Sequence, residues 1–319
     1  MANAVDVVPA APAAPAASAE VWLRALRLYS ITASVVPVVF GGLLAWPRRD
    51  AAGPWLWPLA VLGAVLLHLG TNLLNDHGDF ASGVDRPGTS AGSGVLVEGL
   101  LTPRQVARAA ALCFGLAVAV GLVLARARGW SLVALGVTGV LGGWAYTAGP
   151  RYKYVGLGDP FVFLLMGPLM SSGAALVVGG VLSWTPALAA LPLGLLVTAI
   201  LHANNLRDLE DDRASGVRTL AIALGRRGSV AYLAVLLGGA YVALAALAVS
   251  GAVPAAALAA VASAPLAWSL ARDAARSVTL EARRAAHLVE RAAQLHLAFG
   301  ALCVAGVALA LVFGAVPRP

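Results

Sequence analysis

Charge is scarce in this chain and lysine almost missing. Only 12% of the 319 residues are Asp, Glu, Lys or Arg, and Lys153 is the sole lysine. With 60% hydrophobic residues and a mean hydropathy of +0.84, so thin a polar complement excludes an ordinary soluble domain and implies a polytopic membrane protein. Cysteine is nearly absent too. Cys113 and Cys303 each lie inside an apolar run, which excludes a disulfide framework, and no closed His/Cys set exists for zinc. The first residues lack a basic segment, and their prolines interrupt any apolar stretch. Residues 1–20 therefore read as a disordered Ala/Pro-rich tail rather than a signal peptide, and 21–319 as one domain. The net charge of +7 does not point to nucleic acid, because the basic residues sit between apolar runs. No obligatory protein partner is evident.

What is abundant is apolar sequence long enough to cross a bilayer. Runs at 22–46, 55–75, 105–125, 129–147, 160–182, 185–206, 229–251, 253–271 and 293–315 predict an all-α bundle of about nine transmembrane helices. Trp22, Trp46, Trp55, Trp130 and Trp184 fall near run ends, where interface anchors belong. Of the 22 basic residues, all but Arg48, Arg49, Arg126, Arg128 and Arg318 lie on the side of the N-terminus. Positive charge marks the cytoplasmic face, so the N-terminus is expected inside the cytoplasmic membrane and the C-terminus outside.

Two Asn/Asp clusters end two of these runs. The first holds Asn72, Asn75, Asp76 and Asp79, with Asp85 beyond; the second holds Asn204, Asn205, Arg207, Asp208, Glu210, Asp211 and Asp212. Carboxylates at the membrane are costly and mark function. Asn72, Asp76 and Asp79 recur at i, i+4 and i+7, and Asn204, Asp208 and Asp212 at i, i+4 and i+8, so each set forms a stripe on a helix. The stripes start 132 positions apart, which implies an internal four-helix pseudo-repeat and brings both to the inner face. Facing carboxylates want hard cations, and Mg²⁺ held by a few of them completes its shell with water and substrate phosphate.

The neighbours fit that chemistry. Glycines 78, 83, 88, 92, 94 and 99 thread the loop after the first cluster, either as plain flexibility or as a cradle where backbone N–H groups approach an anion. Lys153 and Arg207 would neutralise phosphate oxygens, while Arg213 and Arg218 read equally as surface charges that set topology. His68 and His202 read as buried hydrogen-bonded side chains or as substrate contacts, and Asp159 as a helix cap or a third acid wall.

The paired motifs, Asn72-xxx-Asp76-xx-Asp79 and Asn204-xxx-Asp208-xxx-Asp212, resemble those of the UbiA superfamily of intramembrane prenyltransferases. Tyr146-Thr-Ala-Gly-Pro-Arg-Tyr-Lys153-Tyr-Val-Gly-Leu-Gly158-Asp159 and the segment from Asn204 to Gly225 look like the branch that prenylates 1,4-dihydroxy-2-naphthoate. The likeness runs from about residue 22 onward. It departs at Arg27-Leu-Tyr-Ser-Ile31, where the branch has an Arg-Pro-Lys-Thr-Leu-like run, at His77-Gly78, and in the last spans.

The resemblance implies a polyprenyl diphosphate donor, an aromatic acceptor and Mg²⁺. Asn72, Asp76, Asp79, Asn204, Asp208 and Asp212 would hold the metal, and Lys153 and Arg207 the leaving group. Asn75, Asn205, His68 and the retained Arg27 would border substrate. Asp85 or Asp159 would orient the acceptor or take a proton, and Tyr146 would steady the cation or the pyrophosphate. A naphthoate acceptor loses its carboxylate and gives demethylmenaquinone; 4-hydroxybenzoate, homogentisate, haem, chlorophyllide or another naphthoate are the rival acceptors. A membrane transporter would carry its acids at mid-span rather than at inner ends, and a phosphatidyl-type transferase has one compact motif on far fewer spans.

Overall fold

The computed structural model describes residues 18–89, 92–279, 281–282 and 286–314. The tail up to residue 17, together with Arg283, Arg284 and Arg318, lies outside the described residues. Among those described, the chain is helical; its sole β pairing is an isolated bridge between Val155 and Arg218. The helices are α1 (Ala19–Leu26), α2 (Thr32–Ala45), α3 (Gly53–Ala81), α4 (Pro103–Arg128), α5 (Trp130–Ala145) and α6 (Gly158–Gly179). There follow α7 (Thr185–Ala189), α8 (Leu191–Arg207), α9 (Leu209–Ala214), α10 (Leu220–Val249), α11 (Ala255–Arg276) and α12 (Leu288–Val312).

Six of them, α3, α4, α6, α10, α11 and α12, are long and apolar enough to cross a membrane. A seventh span arises if Ala19–Ser30 and Thr32–Arg48, bent by 49°, count as one. Each of the nine apolar runs falls on helix, but α5 has 16 residues and α8 only 17.

Local chemistry explains the breaks. Thr102 and Gln105 form a capping box ahead of Pro103, and Thr219 caps α10 through the Ile222 amide. Arg27 ends α1 with φ of 51°, a left-handed conformation that costs a non-glycine residue free energy. It turns the chain so that the Arg27 side chain faces the first acid cluster. Within α6, Pro168 lacks an amide hydrogen, and the helix widens to a π turn over Leu165–Leu169.

Lipid is as apolar as leucine, so packing between spans rests on close backbone approach at small residues. A Cβ on Gly41 of α2 would strike the Ser171 backbone of α6, and one on Gly167 of α6 would meet Gly194 of α8. The main core gathers Phe40, Leu193, Leu196, Leu233, Leu270 and Phe299 from α2, α8, α10, α11 and α12. A smaller core, including Ala25, Leu73, Val95, Leu96, Leu101 and Val106, pins residues 92–102 under α1. That segment is thereby held at the end of the bundle where both acid clusters emerge. Trp55, Trp130 and Trp184 are more than 80% exposed, as interface anchors are.

Candidate active site

The first cluster ends α3, which continues unbroken to Ala81, so Asn75, Asp76 and Asp79 stay helical and are all buried. Their partners come from elsewhere in the chain. Asp76 accepts from the Arg27 guanidinium and from the Ser93 hydroxyl. Asp79 accepts from Lys153 Nζ at 2.5 Å and from Tyr154 Oη at 2.5 Å. Lys153 also donates to Asn75 Oδ1 at 2.9 Å. The 150s loop is fixed by its bridge to the segment after the second cluster, where the Arg218 amide donates to the Tyr154 carbonyl at 3.2 Å. Lys153 is thus set between the two motifs by backbone pairing.

The second cluster is built differently. α8 stops at Arg207, and Asp208 leaves the helix at φ −96°, ψ 11°. Asp212 therefore sits on the short α9, not on a continuation of α8, and the expected single stripe is broken in two. Arg207 embraces its neighbour Asp208 with Nε and Nη2, each at 2.7 Å, and donates to Asn204 Oδ1 at 3.0 Å. Arg213 and Arg218 are exposed.

Both clusters line one polar pocket of about 20 Å³ that includes Asp79, Asp85, Asp208, Asp211 and Asp212 from two stretches far apart in the sequence. Arg27, Lys153, Asn75 and Asn204 share the lining. Five aspartates face two bases there, and the imbalance has electrostatic consequences. Burial and the Asp79 charge push the Asp85 carboxyl up to about 7 against the pull of Lys153. Burial raises Asp212 likewise to about 7, with Lys153 opposing and Asp208 adding repulsion. Burial, the largest single influence, would lower Lys153, but the charge and hydrogen bond of Asp79 together with Tyr154 and Asp212 outweigh it and raise the ammonium's pKa. Among the described residues no three His, Cys, Asp or Glu side chains stand close enough to hold a metal ion as they are now arranged; Asp76, Asp79 and Asp208 each grip a base instead.

Other expected site residues lie around this pocket. Asn72 turns away from it and donates to the Leu26 carbonyl at 3.3 Å and to Ser30 Oγ at 3.2 Å. His68 is buried between Ser30 and Ser34, with both ring nitrogens in hydrogen bonds. Asp159 is neither an exposed cap nor part of the pocket lining. It bonds His202 Nδ1 at 2.8 Å and Asn205 Nδ2 at 3.3 Å in a separate buried group. Tyr146 stands between, 5.8 Å from Lys153 Nζ at its ring centre and edge-on to Tyr152.

Sequence reasoning missed Ser93 and Tyr154, and read Gly92 only as one of the loop's glycines. Gly92 lies where a Cβ would strike both Arg27 and Asp76. Tyr154, next to Lys153, carried a signal in its position; Ser93 carried none, since only the fold returns it to Asp76.

An apolar chamber of about 490 Å³ adjoins these residues between α3, α4, α5 and α6. His68, Thr71 and Tyr152 provide its polar side chains. Val118, Leu122, Val137 and Leu141, at least 42% exposed, lie along its outer rim. A slot therefore faces the lipid between α4 and α5.

A family model described as the UbiA prenyltransferase family matches residues 34–290. The chain belongs to that family and is a prenyltransferase. The match takes in both acid clusters and the Lys153 loop, and leaves out only Arg27 among the pocket's bases. UbiA prenyltransferase domain-containing protein 1 of Gallus gallus is 36% identical over 230 residues, covering 71% of this chain and 68% of that protein. The 1,4-dihydroxy-2-naphthoate octaprenyltransferase of Bacillus subtilis is 31% identical over 228 residues, covering 70% and 72%. A UbiA homologue from Archaeoglobus fulgidus, solved bound to DMAPP and Mg²⁺, shares the fold at a TM-score of 0.57 and 16% identity, over 88% of this chain and 98% of that one.

Proposed function

We propose that this family member transfers a polyprenyl group from an allylic diphosphate to an aromatic acceptor in a Mg²⁺-dependent reaction, with 1,4-dihydroxy-2-naphthoate as the acceptor. One observation carries the reading: two acid clusters and two bases, Arg27 and Lys153, meet in one polar pocket, with Arg207 paired to its Asp208, beside an apolar chamber open to lipid. A diphosphate head and an isoprenoid tail need that pair of environments. The acceptor is supported by the Bacillus subtilis relative. The same reading sets nine helices across the bilayer in a four-helix pseudo-repeat. The bent α1–α2 pair, α5 and α7–α8 then complete the six long spans, with the pocket and N-terminus cytoplasmic and the C-terminus external.

The donor set suits Mg²⁺. It is all oxygen, and five aspartates against two bases leave negative charge that a divalent cation would offset. Asp76, Asp79, Asp208, Asp212 and Asn204 would hold it, with Asn72 joining only if its side chain turns from Ser30. Bound there, Mg²⁺ supplies neutralisation of the diphosphate where charge develops.

The chain's own residues do the rest. Arg27, Lys153 and Arg207 each pair with a carboxylate that would hold the metal, and with those carboxylates so engaged their cationic groups would face the phosphate oxygens where the leaving group's charge grows. The allylic C–O bond breaks, and pyrophosphate departs with the electron pair. The apolar chamber excludes water from the resulting cation, with the Tyr146 ring beside Lys153 facing it. The ring carbon bearing the carboxylate forms the new bond, and CO₂ leaves with its bonding electrons returned to the ring.

The test is a membrane assay with a long polyprenyl diphosphate, Mg²⁺ and 1,4-dihydroxy-2-naphthoate, read by mass spectrometry beside a 4-hydroxybenzoate reaction. A decarboxylated, prenylated naphthoate product that disappears with EDTA is expected. Mg²⁺-dependent prenylation of 4-hydroxybenzoate alone would overturn the acceptor and keep the site.

A further inference from the structure

One buried titratable side chain has no part in the transfer step. The His68 ring lines the apolar chamber, yet both of its nitrogens are taken. Nε2 lies 3.2 Å from Ser30 Oγ, and Nδ1 lies 3.1 Å from Ser34 Oγ. The imidazole therefore has no nitrogen to offer a substrate. Its partners belong to the joint between α1 and α2, where the short Leu28–Ser30 turn follows Arg27, and to the first turn of α2.

That joint is docked on one stripe of α3. His68, Asn72 and Asp76 recur at i, i+4 and i+8 and engage it in three steps. His68 holds Ser30 and Ser34, Asn72 donates to the Leu26 carbonyl and to Ser30 Oγ, and Asp76 takes the Arg27 guanidinium. Arg27 has φ of 51° and ψ of 54°, a conformation that a non-glycine residue keeps only when its surroundings enforce it. Ser30 supplies that enforcement, since its hydroxyl donates to the Arg27 carbonyl at 2.8 Å.

The hydrogens follow from the partners. Ser30 Oγ accepts from Asn72 Nδ2 and gives its own proton to Arg27, so its contact with His68 needs a hydrogen on Nε2. A neutral ring protonated there carries a lone pair on Nδ1, which accepts from Ser34. The Ser34 proton is available, because the nearby Ile31 carbonyl already takes the amides of Ser34 and Val35 at 2.9 and 3.0 Å. Ser34 hydroxyl, imidazole, Ser30 hydroxyl and Arg27 carbonyl thus form one directed chain in which each bond polarises the next.

We propose that His68 is a positioning residue for the diphosphate: through Nε2–H and Ser30 it locks the Arg27 turn and so aims the guanidinium into the acid pocket. Resting on the prenyl-transfer reading, this assigns His68 to leaving-group stabilisation without any contact to substrate. It also gives the αL turn at Arg27 a purpose, since the strained backbone is what points the guanidinium at Asp76.

The experiment uses the full chain in lipid nanodiscs and titrates inorganic pyrophosphate in the presence of Mg²⁺, a probe of the pocket that needs no acceptor and no turnover. Donor kcat is measured in parallel. A glutamine amide reaches the position of Nε2, whereas an asparagine amide stands at Nδ1 and meets only Ser34. His68→Asn is expected to weaken pyrophosphate binding about tenfold, the scale of a lost buried hydrogen bond, and to lower kcat similarly, while His68→Gln stays within about threefold of wild type. Ser30→Ala leaves the ring in place and repeats the loss, which keeps the test open if His68→Asn unfolds. In an Arg27→Met background, His68→Asn adds less than about twofold, because the group it positions is gone. The role of His68 is overturned if glutamine is as damaging as asparagine, if Ser30→Ala binds pyrophosphate like wild type, or if the full loss persists without Arg27. It is overturned as well if the wild type binds no pyrophosphate. The expected order of binding supports it whatever the turnover, so a wild type that binds pyrophosphate but transfers no prenyl group would count against the transfer reading alone.

Discussion

The two acid clusters look alike in sequence and are built in opposite ways. The first rides on one unbroken 29-residue helix, and its bases arrive from far along the chain: Arg27 is 49 positions away from Asp76 and Lys153 is 74 from Asp79. The second sits at a helix break, and its base is the adjacent residue, Arg207 beside Asp208. The first cluster is therefore a tertiary assembly and the second largely a local one. Damage to the first should be felt by the fold as well as by the chemistry, while damage to the second should fall mainly on the chemistry.

Removing an acid from either cluster tests what they share. Asp76→Ala and Asp208→Ala should each lower turnover at saturating substrate by at least about a thousandfold, since each removes charge that the diphosphate–metal complex needs. Mg²⁺-dependent activity near wild type in either variant would separate the clusters and sink the common-pocket reading. Removing a base tests what divides them. Lys153→Met leaves Asp79 buried with Tyr154 as its remaining hydrogen-bond partner, and a broken buried pair costs on the order of 3–5 kcal/mol. Arg207→Met strands a buried carboxylate at a helix end that keeps its Asn204 hydrogen bond, and should cost about 1–2 kcal/mol. Thermal unfolding in nanodiscs should therefore drop clearly further for Lys153→Met, while both variants weaken donor use by about a hundredfold and acceptor use much less. Equal loss of stability would remove the distinction between tertiary and local assembly.

That distinction also marks what the sequence made legible. Helical class, membrane burial and the convergence of Asp79, Asp208 and Asp212 follow from run length and spacing, which are local properties. The break at Asp208 does not, because an i, i+8 pattern reads as one stripe whether or not the backbone leaves the helix between. Nor does the turning of Asn72 toward Ser30, or the withdrawal of Asp159 into its own group with His202 and Asn205. In each case a nearby polar group outcompeted the pocket for a side chain of the right type. Ser93, and the contact that singles out Gly92 among the loop's glycines, were hidden for a related reason. They matter through the placement of residues 92–102, which is set by Val95, Leu96 and Leu101 packing under α1.

Gly92 allows a finer cut at the first cluster, because it alters the fit around Asp76 without touching any charge. Gly92→Ala pushes a methyl group into the Arg27–Asp76 contact, where something must shift. The expected loss is about tenfold in kcat/KM for the donor, the scale of a misplaced positioning group, with Mg²⁺ dependence retained. Unchanged kinetics would mean that Arg27 need not meet Asp76 for the pocket to work.

The smallest effect should come from Tyr154→Phe. Asp79 keeps Lys153 when the phenol oxygen goes, so no charge is left unpaired, and only one hydrogen bond of about 1 kcal/mol is removed. Turnover should fall no more than about fivefold, and stability should change far less than in Lys153→Met. The ratio between these two variants at a single carboxylate is the sharpest form of the comparison. If losing the hydroxyl cost as much as losing the ammonium, Asp79 would be held by hydrogen-bond geometry rather than by charge, and the first cluster would not need a cation from the far side of the chain.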